Sequence, residues 1–214
     1  MKNSMRRIPS HGLVAWWNQP THLMNLVIFD LETTGFSPYK NEIIQIAAVR
    51  VRDGQVLTAE ADRFATFVRP RQPIPWFISN LTGIWQDDTG EAPAAEDALR
   101  AFSQFVGDAT LVAHNGMRFD LPFIREACNR SQVPVREVPF FDSLTLSRRL
   151  WTGENSHGLD AVKERLGVST PEHQRHDARA DVAILAEAVC RMLQRLGLTS
   201  SSTSITTEIG LIPK

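Results

Sequence analysis

Several shortages in the 214-residue chain each exclude something. It has only two cysteines, Cys128 and Cys190, too few for a disulfide framework or a zinc site of their own, which points to a reducing compartment. No apolar run approaches the ~18 residues of a membrane span, which excludes a membrane partner. The apolar patch Leu13–Trp17 is shorter than the roughly 7–15 residues of a secretory h-region and ends at Asn18-Gln19-Pro20, so a cytoplasmic protein is expected. An excess of one charge is also missing. Twenty-three basic against 24 acidic residues leave a net charge of −1, which excludes a polybasic coat for duplex nucleic acid. Lysine is scarce, standing only at 2, 40, 163 and 214, so the basic set is nearly all arginine. Arginine suits bidentate phosphate contacts, and a GC-rich genome is the alternative explanation.

What is present reads as one α/β domain with extra segments. Residues 1–24 show no clear period: either they are a flexible arm, or Met24 is the natural start. Leu26–Phe29 is a continuous apolar run, as in a central strand buried on both faces. Residues 42–51 and 56–68 read as two further strands, with Asp53-Gly54 as the turn between them, so three antiparallel strands open the fold. Helices are expected over 94–106, 121–129, 143–150, 157–166 and 177–196, with short strands at 110–113 and 139–141. From Thr199 to Thr207 every residue but Ile205 is Ser or Thr, so 198–214 is expected to be a disordered tail and the domain to span 25–197.

Three groups of residues carry chemistry. Asp30 and Glu32 are i and i+2 at a strand end and face the same side, with Cα atoms about 6–7 Å apart, a spacing at which two carboxylates can share or bridge divalent cations. Asp120 stands where a helix begins just past His114-Asn115, and N-capping is its alternative role. Asp181 lies in the first turns of the longest helix, with His176 five residues earlier on its lead-in. Asp142 reads as an N-cap for the helix after it.

The spelling of these groups resembles the DEDDh exonucleases. Phe29-Asp-Leu-Glu-Thr-Thr-Gly35 is similar to the first signature of that family, His114-Asn115 with Phe119-Asp120 to the second, and His176 with Asp181 to the third. The tyrosine subclass would need Tyr at position 177, which is Asp, so the histidine subclass is indicated. Leu81-Thr82-Gly83-Ile84, Phe141-Asp142-Ser143-Leu144 and His157-Gly158-Leu159-Asp160 extend the resemblance over roughly residues 25–195. Between His-Asn and Phe-Asp three residues intervene, as in three-prime repair exonucleases, whereas residues 146–153 are similar to bacterial exonuclease X.

The resemblance implies an RNase H-like fold, a five-stranded mixed sheet flanked by helices. It implies a 3′–5′ exonuclease that hydrolyses phosphodiester bonds at DNA 3′ ends and releases nucleoside 5′-monophosphates. Two divalent cations, Mg²⁺ with Mn²⁺ as substitute, would serve it, and no stable small-molecule cofactor. By the same likeness Asp30, Glu32 and Asp181 hold the cation that binds the attacking water, Asp30 also reaches the second, Asp120 acts mainly through water, and His176 is the general base. Leu31, Thr33, Thr34 and Asn115 are the substrate-binding candidates. Trp85 is available for base stacking, although Trp76, Trp85 and Trp151 also fit as core or surface filler. Arg118 and Arg179 lie beside the acidic motifs as candidate phosphate contacts. The expected partners are single-stranded DNA or 3′ DNA ends, and a DNA polymerase III α subunit if the chain is a proofreading subunit. An exoribonuclease and a catalytically silent nucleic-acid-binding module are the other readings.

Overall fold

The computed structural model describes residues 25–169, 178–198 and 205–214. The arm or late start expected over 1–24 lies outside them, as does His176.

Strand β1 (Asn25–Thr33) is the centre of the sheet, and its two faces enter two cores. Val27, Phe29 and Leu31 pack into one core, Leu26 and Ile28 into the other, as strand alternation requires. Strand β2 (Ile43–Arg52) pairs antiparallel with β1. Asp53 and Gly54, with φ of 52° and 74°, then make the two-residue turn into β3 (Gln55–Val56), a turn that needs positive φ at both positions. The third strand expected over 56–68 is divided. β3 is two residues long, and β4 (Arg63–Phe67) pairs with β2 nearer its start, after a short 3₁₀ turn.

Helices α1 (Trp76–Thr82) and α2 (Gln86–Thr89) follow, both too short for an apolar period to announce them. α3 (Ala95–Val106) leads into β5 (Thr110–Ala113), parallel to β1. α4 (Asp120–Ser131) leads into β6 (Val135–Asp142), parallel to β5 and longer than the 139–141 expected. α5 (Ser143–Leu150), α6 (Leu159–Leu166) and α7 (Ala178–Arg195) cover one face of the sheet, α3 and α4 the other.

Two expectations are corrected at the chain's end. Glu208–Pro213 is not disordered but forms β7, antiparallel to β6, and the sheet has seven strands rather than five, in the order β3-β2-β1-β5-β6-β7 with β4 also on β2. The reason is local. The Ser/Thr run hides a short apolar segment behind it, and the open edge of β6 offers that segment a full ladder of backbone partners. Ile212 is fully buried in the core shared with α3 and α4, and the Ser103 hydroxyl donates to the Pro213 carbonyl. Residues 199–204 lie outside the described residues.

Candidate active site

The parity of β1 places the first two acids. Asp30 and Glu32 alternate with the residues that enter the α3–α4 core, so they share a side with Ile28, toward α7. The register with β2 shifts between Glu32 and Thr33, where the ladder ends. Asp181 comes from the opposite layer, one turn after Ala178. The Ala178 N–H donates to Gln45 Oε1 at 2.9 Å, and Gln45 sits directly across the ladder from Glu32. One carboxylate oxygen each from Asp30, Glu32 and Asp181 thus lie within 4.8 Å of one another.

Asp120 is delivered differently, by the tight loop between β5 and α4. Asn115 has a left-handed φ of 63°, and its carbonyl accepts from the N–H groups of Arg118 and Phe119. Gly116 leaves no room for a side chain, since a Cβ there would lie 2.6 Å from that of Ala113 and 3.0 Å from the Phe140 ring. The Asp142 carboxylate accepts from Asn115 N at 2.8 Å and Met117 N at 3.3 Å, and also from Leu144 N at 3.0 Å. Beside it, His114 Nδ1 meets Ser143 Oγ at 2.9 Å and His114 Nε2 meets the His157 carbonyl at 2.8 Å. Burial pushes the His114 imidazole below its usual range, and with both nitrogens engaged it serves as a strut.

The electrostatics are those of a site waiting for positive charge. Burial, then the charges of Asp120, Glu32 and Asp181, push the Asp30 carboxyl well above the usual carboxylate range. Burial is again the main cause for Asp120, raised to about 7, with the charge of Asp142 adding to it. The Leu31 N–H favours the ionised form of both groups. Asp120 Oδ1 is buried and has no hydrogen-bond partner among the described residues. Crowded buried carboxylates with an orphaned oxygen fit hard divalent cations, which offset both the repulsion and the missing bonds.

The other expected site residues fall as follows. Leu31 is buried, with its side chain in the α3–α4 core, so only its backbone faces the acids. Thr33 and Thr34 are also buried. The Thr33 hydroxyl donates to the Gly35 carbonyl at 2.6 Å and Thr34 Oγ1 accepts from Glu42 N at 2.9 Å, so both side chains brace the turn. Asn115 lies in the loop with Asp120. Arg179 stands over the Phe67 ring, 5.9 Å from its centroid, and Arg118 is exposed. Two contributors escape a reading of the sequence. Gln45 fixes the start of α7, and its signal is one polar residue in the otherwise apolar buried run 43–49 of β2. Asp142 is indeed an N-cap, but two of its three bonds hold the Asp120 loop, which lies far off in sequence.

The sheet and its flanking helices define an RNase H-like α/β architecture with a candidate metal site of three carboxylates. More narrowly, the chain belongs to the exonuclease family: the RNase T exonuclease family model matches residues 27–189. The chain is 38% identical over 194 residues to a DNA polymerase III subunit epsilon-like protein of Rhodobacter capsulatus, covering 87% of this chain and 27% of that protein. It is 35% identical over 179 residues to the PolC-type DNA polymerase III of Clostridium perfringens, covering 83% of this chain and 12% of that one. The chain therefore spans about a quarter or less of the length of these relatives. Among solved structures, exonuclease X in complex with 5′ overhanging duplex DNA superposes with a TM-score of 0.65 at 26% identity, over 84% of this chain and 97% of that one. The nuclease domain of 3′hExo, a DEDDh family member bound to rAMP, shares the fold with a TM-score of 0.69 at 20% identity, over 85% and 98% of the two chains. No helix among the described residues is long and apolar enough to cross a membrane.

Proposed function

We propose that the chain is a 3′–5′ exonuclease that hydrolyses the terminal phosphodiester bond of a DNA strand and releases nucleoside 5′-monophosphates. The observation that carries this reading is the meeting of Asp30, Glu32 and Asp181 at one strand end, with buried Asp120 beside Asp30. Asp30, Glu32 and Asp181 would hold one divalent cation, and Asp30 with Asp120 a second, Mg²⁺ being the natural occupant and Mn²⁺ its substitute. When bound, such a pair activates water and stabilises charge on the leaving 3′ oxygen. His176 takes the proton from the attacking water, since an imidazole titrating near neutrality suits a general base. The 33–35 turn and the 114–119 loop, with Thr33, Thr34 and Asn115 and the backbone of Leu31, border the acids and orient the terminal nucleotide. The protein works in the cytoplasm, where its buried Cys128 and half-buried Cys190 stay as free thiols.

A second reading is favoured by the epsilon-like and PolC-type relatives: the same activity used for proofreading, in association with a DNA polymerase III α subunit. The test offers 5′-labelled single-stranded DNA, duplex DNA with a 3′ mismatch, and RNA, each with Mg²⁺. A ladder of shortening DNA that EDTA abolishes is expected. Endonucleolytic products, or no cleavage of any strand, would overturn the assignment. Replacing His176 with Ala should lower the rate by roughly 10²–10⁴-fold, and a wild-type rate would remove it from the mechanism.

A further inference from the structure

Helix α7 lies over β1 and β2. Ala47 and Val49 of β2 face its core, so their ladder partners on β4, Ala65 and Arg63, face the same side. Between α7 and β4 a groove opens there, with a cavity of about 180 Å³. It exists because both walls stop at methyl groups: Ala47 and Ala65 on the sheet, Ala183 on the helix, with Ala65 and Ala183 exposed at the lips. Val49, Val56 and Val182 extend the apolar lining, and Arg63 and Arg179 stand at its rim. An apolar cavity of about 150 Å³ accepts a benzene ring, so this one accepts a single aromatic side chain.

Size and position say what fills it. One ring is far less than the roughly 1,200 Å² that a stable interface between separate molecules buries. A segment of the same chain needs no such area, because its tether holds it at a high effective concentration. The described chain enters the sheet at Asn25, the ladder partner of Arg52. One pair further on, Leu26, Val51 and Val56 lie in a row across β1, β2 and β3, so the entry point is about 10 Å from the groove wall at Val56. The residues before Asn25 contain one five-residue apolar run, Leu13–Trp17, which ends in two tryptophans. Trp17 is eight residues from Asn25, a reach of about 26 Å in extended chain. From Ile8 to Met24 there is no Asp, Glu, Lys or Arg, so no such charge has to leave water, and a rim arginine can lie over an indole face.

We propose that the groove between α7 and β4 is the seat of Leu13–Trp17, with one indole of the Trp16-Trp17 pair filling the cavity. The inference is independent of the exonuclease reading. Seated there, the segment packs on Arg179, Val182 and Ala183, the turn of α7 that also carries Asp181.

The test is chymotrypsin cleavage of the full chain after Trp16 and Trp17, read by mass spectrometry in wild-type protein and in Ala65→Phe, whose own ring fills the groove. The cuts should be at least about tenfold slower in wild-type protein, because a seated segment is cleaved only when it opens. Circular dichroism checks folding, and Ala183→Phe is the second groove-filling variant if Ala65→Phe does not fold. Replacing both tryptophans with alanine should lower the melting temperature by about 4 °C or more in wild-type protein and leave it unchanged in Ala65→Phe. A protein that begins at Met24 should show the same drop relative to the full chain. Equal cleavage of wild-type and groove-filled protein, whether fast or slow, overturns the proposal. So does a full chain that melts no higher than the one beginning at Met24. Protection that fades on dilution also overturns it, and assigns the groove to a second copy of the chain.

Discussion

At the end of β1, Asp30 and Glu32 are set by a ladder. Both neighbouring strands pair with β1, its side chains alternate into two cores, and nothing but strand parity is needed to aim the two acids at α7. At the end of β5, Asp120 is set by a loop. That loop depends on a left-handed Asn115, a glycine with no space for a methyl group, and a carboxylate, Asp142, reaching over from the next strand. The first arrangement is redundant and the second is not. Changes remote from the acids should therefore disturb Asp120 far more than Asp30.

The largest effect lies on the redundant side, in the acids themselves. Asp30→Ala or Asp181→Ala should lower kcat by at least about 10³-fold, the scale of losing a charge-organising group. The fold should survive, and Asp30→Asn should raise the melting temperature in EDTA, because it removes a buried charge crowded by three others. A lowered melting temperature would show that the acids stabilise one another, contrary to the charge crowding.

The loop is where the contrast can be broken. Asp142→Asn keeps the shape but loses the charge that gathers two loop N–H groups. A 10–100-fold loss of activity is expected, as for other residues that orient a metal ligand, with about 1–3 kcal/mol lost in stability. Gly116→Val should do at least as much through the 2.6 Å approach to Ala113. Kinetics and chemical denaturation measure both. Wild-type kinetics in both variants would mean that Asp120 needs no clamp, and the two strand ends would be equivalent.

That same contrast governs what could be read before the structure. Asp30 and Glu32 follow from strand alternation, which is a local property, and the apolar run at 26–29 announces the strand. Four carboxylates and a histidine, in order and in the spelling of their motifs, point to the exonuclease family, and the family model matches residues 27–189. Asp142 was legible as a cap, because Leu144 is two residues away, but its bonds to Asn115 and Met117 span more than twenty residues and leave no local pattern. Gln45 is silent for the same reason: its partner, Ala178, is 133 residues away. β7 failed to stand out because six residues of strand follow a Ser/Thr run that dominates the composition.

Acid titration sharpens the comparison from the other side. Asp30 and Asp120 both have raised pKa values in the folded protein, Asp120 about 7 against an ordinary 3.8. A carboxyl raised by folding is more protonated in the folded than in the unfolded chain between these values. Its favourable contribution is present at low pH and is lost as pH climbs from about 4 through about 7. Without metal, the melting temperature should therefore fall between pH 5 and pH 8, by an amount on the order of a few kcal/mol of stability. Mg²⁺ or Mn²⁺ should restore it more at pH 8 than at pH 5, since the cation binds the ionised form. Thermal melts in EDTA and in saturating metal measure this directly. A metal-free protein that is steadier at pH 8 would contradict the raised values.

The smallest effect concerns the edge strand, and it separates architecture from chemistry. β7 leans on α3 through the bond from the Ser103 hydroxyl to the Pro213 carbonyl, and Gly210 lies against Leu121, the second residue of α4. The strand thus braces the helix that begins with Asp120, but from its outer side. Ser103→Ala removes the bond to Pro213 and the one the hydroxyl accepts from Arg136 Nε, and should cost about 1–2 kcal/mol in denaturant unfolding, with kcat and KM unchanged. Deleting residues 208–214 removes the whole ladder on β6 and should cost several times as much. If the single substitution lowers activity as well as stability, then α4 transmits strain from β7 to Asp120, and the loop at 114–119 is not the only support that acid has.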